Sequence, residues 1–377
     1  MIINVSLLGY GSVSRKHVYA LRNIPFHFPD YGVEARIRMV YGRREELVGR
    51  FAREYSIPSY TTSLEEAVSR EDVDLVDIAL PNHLHHVAGL KALGHGKHVV
   101  CEKPLAINSE LAWELYYVAR DEGVVHGVVY NYRWLPAIIL AKEIISKGLI
   151  GKVYHFRGVY LEDYGADLQR PLTWRYRKET AGSGTLGDNA THVIDLARYL
   201  VGEIVEVCSL GETFIKKRPL AEDPTKQGIV DTDDEFVSIV RFENNAIGTI
   251  EASRISHGRR NWLEIEIRGT KGYIQWNLNY LNHLEVYIVG QEPEGPRRIL
   301  VTDEKHPYIK RFWPPNGPIG LVEGFTIAFA ELLKAIKERR EYKPSFKDGA
   351  VNCTVIDAML ESWRKHRCVE VEYPEKP

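Results

Sequence analysis

Three polar side chains in this sequence are placed to move a proton or to hold a developing negative charge. Lys103 stands in Glu102-Lys103-Pro104, directly after an apolar run that ends at Cys101. The C-terminal ends of parallel strands line ligand crevices. A lysine there donates to a hydroxyl or carbonyl oxygen and stabilises alkoxide-like charge. Asp188 and His192 lie four residues apart in Gly182-Ser183-Gly184-Thr185-Leu186-Gly187-Asp188-Asn189-Ala190-Thr191-His192, which runs into a helically spaced segment, Val193–Val201. A helix sets such a pair on one face. Histidine takes and returns protons near neutral pH, and a carboxylate beside it orients the ring and raises its basicity. The plainer readings are a surface lysine, an N-cap aspartate and a satisfied core histidine, none of which accounts for the glycine-rich approach.

A second group of residues has the pattern of a phosphate cradle. Gly9-Tyr10-Gly11-Ser12-Val13-Ser14 follows the first apolar strand and opens a helix, the context that a dinucleotide fingerprint requires. Gly9 permits the tight turn. Gly11 lets backbone approach a pyrophosphate, which the helix N-terminus with Ser12 and Val13 then receives. Ser14 stands where the fingerprint has a third glycine or alanine, which loosens the helix–strand packing. The second strand ends Met39-Val40-Tyr41 and continues Gly42-Arg43-Arg44, without the acid that often holds a ribose 2′-hydroxyl. Arg43 and Arg44 can grip a 2′-phosphate, can lie solvated at a helix start, or Arg43 can stack on adenine; NAD and NADP both stay open.

Other clusters are less telling. Asn82-His83-Leu84-His85-His86 crowds three histidines, but no cysteine or carboxylate pair is near enough in sequence to complete a metal site, and no metal is expected. This stretch reads as a crevice loop in which Asn82 hydrogen-bonds a cofactor. Lys216-Lys217-Arg218 reads as a solvated loop. Tyr308–Pro315, basic and aromatic without a period, reads as a loop over the site or an oligomer contact.

The elements that must position these residues follow two textures. Up to about residue 130, β-branched runs (Ile2–Leu8, Ile37–Tyr41, Leu75–Leu80, His98–Cys101, Val124–Tyr130) alternate with helical spacing (Val13–Ile24, Arg44–Tyr55, Ser63–Ser69, His83–Gly94, Ser109–Glu122). This predicts βαβ units and a parallel sheet, with Ile24–Val33 as a surface loop. Beyond it, alternating runs at Val153–Leu161, Val205–Ile215, Glu235–Phe242, Ile247–Ile255 and Leu263–Arg268 predict an antiparallel sheet with one solvated or partner-facing side. Helices near Leu321–Arg339 and Lys347–His366 close the chain. The expected fold is α/β, with a dinucleotide-binding domain at 1–130 and an α+β substrate and oligomerisation domain at 131–377.

Composition narrows the function classes. The 377 residues suit two domains. With 49 basic and 51 acidic residues, the net charge of −2 gives no basic excess for nucleic acid. No run reaches 18 apolar residues and the N-terminus lacks the pattern of a signal peptide, so no membrane partner and a cytoplasmic location are expected. Four cysteines do not make a disulfide scaffold, and Cys101, Cys208, Cys353 and Cys368 show no CxxC spacing for a structural zinc, so a reducing compartment is expected. Only four glutamines and few methionines point to a thermophilic source.

The order GYGSVS, PNHLH, CEKP and GSGTLGDNATHVID resembles the glucose–fructose oxidoreductase/inositol dehydrogenase (Gfo/Idh/MocA) family. NYRWLPA, WRY, FENNAIGTIEASR and EIRGTKGYIQW extend the resemblance over nearly the whole chain. NYRWLPA and SRISHGRRN look closest to members acting on anhydrosugars. The resemblance implies a Rossmann domain followed by a large, open, mostly antiparallel sheet. It implies that Lys103 touches nicotinamide and substrate, that His192 is the acid/base with Asp188 beside it, and that Asn82, His85 and Glu102 line the nicotinamide side. Tyr132, Arg133, Trp174 and Arg175 are the expected substrate contacts, an aromatic covering a sugar's apolar face and arginine donating to hydroxyls.

The expected activity is NAD(P)-dependent hydride transfer at a secondary alcohol of a sugar, anhydrosugar or cyclitol. A nicotinamide-binding sensor without turnover and an NAD-dependent glycoside-cleaving enzyme are the alternatives. The expected partners are a small polyol or sugar and further copies of the chain, as a homodimer or homotetramer with its sheet faces packed.

Overall fold

The computed structural model describes residues 1–312 and 316–377. It divides into two compact units. One comprises 1–106, 110–134 and 320–350; the other comprises 107–109, 135–319 and 351–377. A division at 130 thus meets a chain that returns to its first unit near its end.

The first unit begins with β1 (Ile2–Leu8), α1 (Ser12–His27), β2 (Glu34–Tyr41), α2 (Glu45–Glu54), β3 (Ser59–Thr61) and α3 (Leu64–Ser69). β4 (Leu75–Ile78), α4 (His85–Gly94), β5 (His98–Cys101), α5 (Ser109–Asp121) and β6 (His126–Val128) follow. Among the described residues the six strands form one sheet in the order β3-β2-β1-β4-β5-β6, parallel throughout. The Rossmann order has its switch between β1 and β4, where α1 starts and a dinucleotide sits in this fold. All four residues of β4 are buried, as expected of a strand covered on both faces.

The segment expected as a surface loop at 24–33 is partly core. α1 continues to His27 with Pro25 in its last turn, a 3₁₀ turn spans Pro29–Tyr31, and Phe28 and Tyr31 are buried. The prolines conceal this from a periodicity reading. The element that covers it comes from far along the chain. The hydroxyl of Tyr31 donates to Glu331, and Lys337 Nζ donates to the carbonyl of Tyr31 at 2.6 Å.

The second unit carries α6 (Pro136–Ser146), β7 (Val153–Leu161), α7 (Lys178–Ala181), α8 (Thr191–Leu200) and β8 (Ile204–Glu212). β9 (Lys217–Pro219), β10 (Gln227–Ile229), β11 (Glu235–Phe242), β12 (Ile247–Ser253), β13 (Trp262–Gly269), β14 (Gly272–Asn277), β15 (His283–Ile288) and β16 (Arg297–Leu300) complete its run of strands. α9 (Leu321–Glu338) then returns to the first unit, and α10 (Phe346–Lys365) and β17 (Val369–Glu370) end the chain. Among the described residues nine strands form the large sheet, in the order β16-β15-β14-β13-β7-β12-β11-β8-β17. The β7–β12 pair is parallel and its other pairings are antiparallel. Along β11, Phe236, Ser238, Val240 and Phe242 are buried while Val237, Ile239 and Arg241 are exposed, the alternation that the sequence shows.

Two expectations change here. Arg218 lies on β9 and is fully buried, its guanidinium 4.2 Å from the ring centre of Tyr176. The Lys216-Lys217-Arg218 run is therefore not a solvated loop at its third member: a planar cation on an aromatic face tolerates burial. Cys208 and Cys368 form a disulfide, while Cys101 and Cys353 are free and buried. This single bond stands against the reducing compartment expected from the sequence: β8 and β17 pair, which brings together cysteines 160 residues apart. Linear spacing carries no trace of that. Of the basic-aromatic stretch, Ile309–Arg311 is a 3₁₀ turn, and Trp313, Pro314 and Pro315 lie outside the described residues.

Candidate active site

In the first unit the fingerprint turn has the shape of a phosphate cradle. Gly9 has φ +122, and a Cβ there would lie 2.3 Å from the Ala79 carbonyl oxygen, so only glycine fits. A Cβ on Gly11 would meet nothing within 4 Å, and no side chain caps the N-terminus of α1. The amides of Ser12, Val13 and Ser14 thus open a helix whose dipole favours an anion. These residues fit a dinucleotide. Ser14 is fully buried, so the departure from a third glycine is absorbed inside the packing. Arg43 and Arg44 are exposed. Arg44 Nε lies 3.4 Å from the Tyr10 hydroxyl, and the Tyr10 ring occupies the space where a side chain on Gly42 would go.

The turn after β5 carries the lysine. Lys103 is half-buried. Its backbone N–H donates to the Glu102 side chain at 3.2 Å, and the Glu102 N–H donates to the Ile78 carbonyl at 2.8 Å. Asn82 is buried in a 3₁₀ turn, Asn82–Leu84, which leads into α4. His85 is 1% exposed. Its Nδ1 lies 2.9 Å from the Pro104 carbonyl and its Nε2 2.8 Å from the Leu80 carbonyl. Both nitrogens face backbone carbonyls, so the ring packs between the Asn82 and Lys103 turns and its single N–H donates to one of them. Burial lowers its pKa. His86 turns instead to Glu114 at 2.7 Å, and the three histidines of this stretch do not converge.

Two expected substrate contacts also belong to this unit. Tyr132 and Arg133 are 5% and 8% exposed. Arg133 Nη2 pairs with Asp348 Oδ1 at 3.1 Å, and Asp348 also accepts from the Ser345 N–H and hydroxyl. Arg133 thereby braces the start of α10 through Nη2. A lone sequence motif does not show the distant partner.

In the second unit the glycine-rich stretch wraps a buried acid. The Asp233 carboxylate accepts the Gly184 N–H at 2.6 Å and the Leu186 N–H at 2.7 Å, and its carbonyl accepts the Thr185 N–H at 3.0 Å. A Cβ on Gly184 would come within 1.9 Å of that carbonyl oxygen. Asp233 therefore caps the helical run ahead of the chemistry. Residues Leu186–Ala190 form a π-turn that passes into α8. Such turns widen a helix locally and gather at functional sites. Behind α8, Asn352 donates to Asp195 at 3.0 Å and accepts from Arg198 at 2.6 Å, which fixes the helix that carries His192.

Asp188 accepts the Tyr164 hydroxyl at 3.0 Å, and Arg175 Nε lies 3.5 Å from the same carboxylate oxygen. Burial, and then the Asp188 charge, push the Tyr164 phenol well above its ordinary range, so it stays protonated and donates. The Arg175 guanidinium lies 4.4 Å from the Trp174 ring centre. His192 is 7% exposed, its ring 6.0 Å from that of Tyr160. The Tyr160 hydroxyl donates to Oδ1 of Asn261 at 3.1 Å.

A buried cationic clamp supports this group. Arg254 pairs with Asp234 at 2.8 Å, both fully buried. It also donates to the Arg175 carbonyl at 3.3 Å. Arg254 and Arg218 both lie over the Tyr176 ring, at 4.5 and 4.2 Å from its centre. Sequence reasoning missed Tyr164, Asp233, Asp234 and Arg254. The SRISH stretch contains the arginine, but nothing local marks its partners.

Comparison with known proteins gives this architecture its class. A family described as an oxidoreductase family with an NAD-binding Rossmann fold matches residues 3–130, and the GFO/IDH/MocA C-terminal domain matches 138–275. The chain belongs to the Gfo/Idh/MocA oxidoreductase family and is a nicotinamide-dependent oxidoreductase. Among individual proteins it is similar to levoglucosan dehydrogenase of Pseudarthrobacter phenanthrenivorans, with 39% identity over 98% of both chains. A solved structure of levoglucosan dehydrogenase in complex with NADH and levoglucosan matches with a TM-score of 0.95 at 39% identity, covering 99% of this chain and 100% of that one. D-xylose dehydrogenase of Paenarthrobacter nicotinovorans is 25% identical over 97% of this chain and 94% of its own.

Proposed function

We propose that the protein oxidises a secondary alcohol of a sugar, with an anhydrosugar of the levoglucosan type as the first candidate. The observation that carries this reading is the match to levoglucosan dehydrogenase at 39% identity over 98% of both chains. The nicotinamide, when bound, accepts or returns the hydride. NAD is the first candidate, because the matched complex holds NADH and Arg44 is turned toward Tyr10.

In this reading His192 takes the hydroxyl proton in the oxidation direction and returns it in reduction. Lys103 donates to the reacting oxygen and stabilises its alkoxide character. Asp188, held by Tyr164 and Arg175, sets the polar frame around His192. Trp174 and Arg175 contact the sugar, the ring through an apolar face and the guanidinium through hydroxyls. Tyr132, Asn82 and Glu102 complete the assignment as substrate and nicotinamide-side groups.

The test is a panel of levoglucosan, other anhydrosugars, free sugars and inositols, each with NAD and NADP separately. Production of NADH with levoglucosan or a related anhydrosugar is expected. Lys103→Ala and His192→Ala should each lower turnover at least about 100-fold, the size of an acid–base contribution. Near-normal turnover in both variants overturns the assignment. Glycosidic cleavage without net NADH would favour the cleaving alternative, and cofactor binding without any turnover would favour a sensor.

We also propose that copies of the chain pack through the outer face of the large sheet. Leu210, Val237, Ile239 and Ile247 stand 68%, 43%, 58% and 48% exposed there, neighbours on β8, β11 and β12. A contiguous apolar patch of this kind marks an interface. Sedimentation at the mass of a dimer or tetramer supports this, and a 43 kDa species alone counts against it. No helix among the described residues is long and apolar enough to cross a membrane. A cytoplasmic location is part of the same proposal.

A further inference from the structure

His17 and Asp77, two buried titratable groups in the first unit, take no part in the chemistry described above, and they meet Glu102, which does. His17 stands on α1, five residues beyond the helix start. Its Nδ1 lies 2.9 and 3.0 Å from the two carboxylate oxygens of Asp77, on β4. Its Nε2 lies 3.1 Å from Oε1 of Glu102, beyond the end of β5. The side chains of His17 and Asp77 are fully buried and that of Glu102 is 12% exposed. α9 closes the site, with the Phe329 and Phe325 rings 4.9 and 5.7 Å from the imidazole.

Each ring nitrogen faces a carboxylate, and a carboxylate only accepts. A neutral imidazole offers one N–H. Satisfying both sides therefore takes the imidazolium, with the two charge-assisted hydrogen bonds that it alone can donate. A buried charge set of this kind is expensive, and apolar packing of equal volume serves stability as well. Its effect is geometric. Asp77 fixes the imidazole and the imidazole fixes Oε1 of Glu102. The other oxygen of Glu102 accepts the Lys103 N–H, so the chain of contacts runs from the fingerprint helix to the backbone of Lys103.

We propose that His17 is a positioning residue which, through Glu102, holds the Lys103 turn in register with the helix that receives the dinucleotide. The inference rests on the role proposed for Lys103.

The test compares His17→Leu, His17→Gln, Glu102→Gln and the His17→Leu/Glu102→Gln double variant in the full chain. Activity is read with NAD and the sugar that the panel selects. His17→Leu should lower kcat about 10- to 100-fold, the cost of a misplaced reacting group, with a much smaller change in sugar KM. His17→Gln, which keeps one donor, should recover part of the loss. The double variant should be no slower than the worse single one, within about twofold, because both changes break one linkage. A folded His17→Leu variant with wild-type kcat, or losses that multiply in the double variant, overturns the proposal. If His17→Leu does not fold, His17→Gln against Glu102→Gln is read in the same way.

A second readout needs no substrate. Pyridoxal 5′-phosphate with borohydride trapping labels lysines, and peptide mass spectrometry gives the Lys103 rate relative to exposed Lys271. Release of the turn should raise that ratio severalfold in the folded His17 variant, and an unchanged ratio refutes the linkage. A wild type with no turnover on any sugar defeats the proposed activity and leaves this second readout to decide the inference.

Discussion

Asp188 lies in the π-turn and His192 in α8 rather than on one regular helix, and the carboxylate is engaged by neighbours that no spacing rule reaches. Tyr164 and Arg175 both address one Asp188 oxygen. That makes Asp188 an anchor for Arg175. Tyr164→Phe removes one donor and keeps the ring. In the proposed enzyme it should lower kcat/KM several-fold, on the order of 1 kcal/mol or slightly more for a hydrogen bond to a charged group. Steady-state kinetics with the preferred sugar checks this, and an unchanged kcat/KM removes Tyr164 from the site. That Lys103 follows a strand and that His192 lies on a helix behind a glycine-rich approach were legible in the sequence. The pairing of Arg133 with Asp348 was not, because it depends on a segment more than two hundred residues away in sequence.

At the scale of elements, a strong constraint lies at Gly184. A methyl group there would meet the Asp233 backbone at 1.9 Å, and backbone does not move aside as a flexible side chain does. Gly184→Ala should therefore destabilise the protein by more than about 2 kcal/mol, in the range of severe overpacking and lost capping. Thermal unfolding of the variant measures it, and an unchanged midpoint would falsify the cap. The βαβ alternation made the first sheet readable from its apolar runs, and β11 and β12 announced themselves by period two. Three things stayed hidden. The extension of α1 through Pro25 was masked by prolines, β9 by its charges, and the return of α9 to the first unit by its distance in sequence. Each depends on a partner outside the local window.

At the scale of the molecule, buried histidines bracket the pH range of stability. His126 Nδ1 accepts the Phe346 N–H at 3.0 Å, and burial lowers its pKa to about 4. His98 accepts the Val125 N–H and is also lowered by burial. An unfolded chain protonates these rings near pH 6.5. Between there and about pH 4 the unfolded state binds protons that the native state refuses, so stability falls as pH falls. His17 acts at the other end. Burial lowers its pKa, but Asp77 and Glu102 outweigh that and raise it to about 10. The native state then keeps a proton that the unfolded state has released, and this contribution is lost as pH rises through about 10. Melting temperatures should peak near neutrality and decline toward both pH 4.5 and pH 10. His126→Asn, which keeps an acceptor for Phe346, should flatten the acid side, and a melting temperature that rises toward pH 4.5 excludes this account.

The Cys208–Cys368 bond closes a ring that contains the whole of α9. A protease that cuts after exposed Lys305 severs the backbone inside that ring and releases nothing. The nicked chain should migrate as one species on a denaturing gel without reductant and separate into two fragments once dithiothreitol is added. The protein thus has two covalent routes between its second unit's sheet and its C-terminal helices, and one of them survives a broken peptide bond.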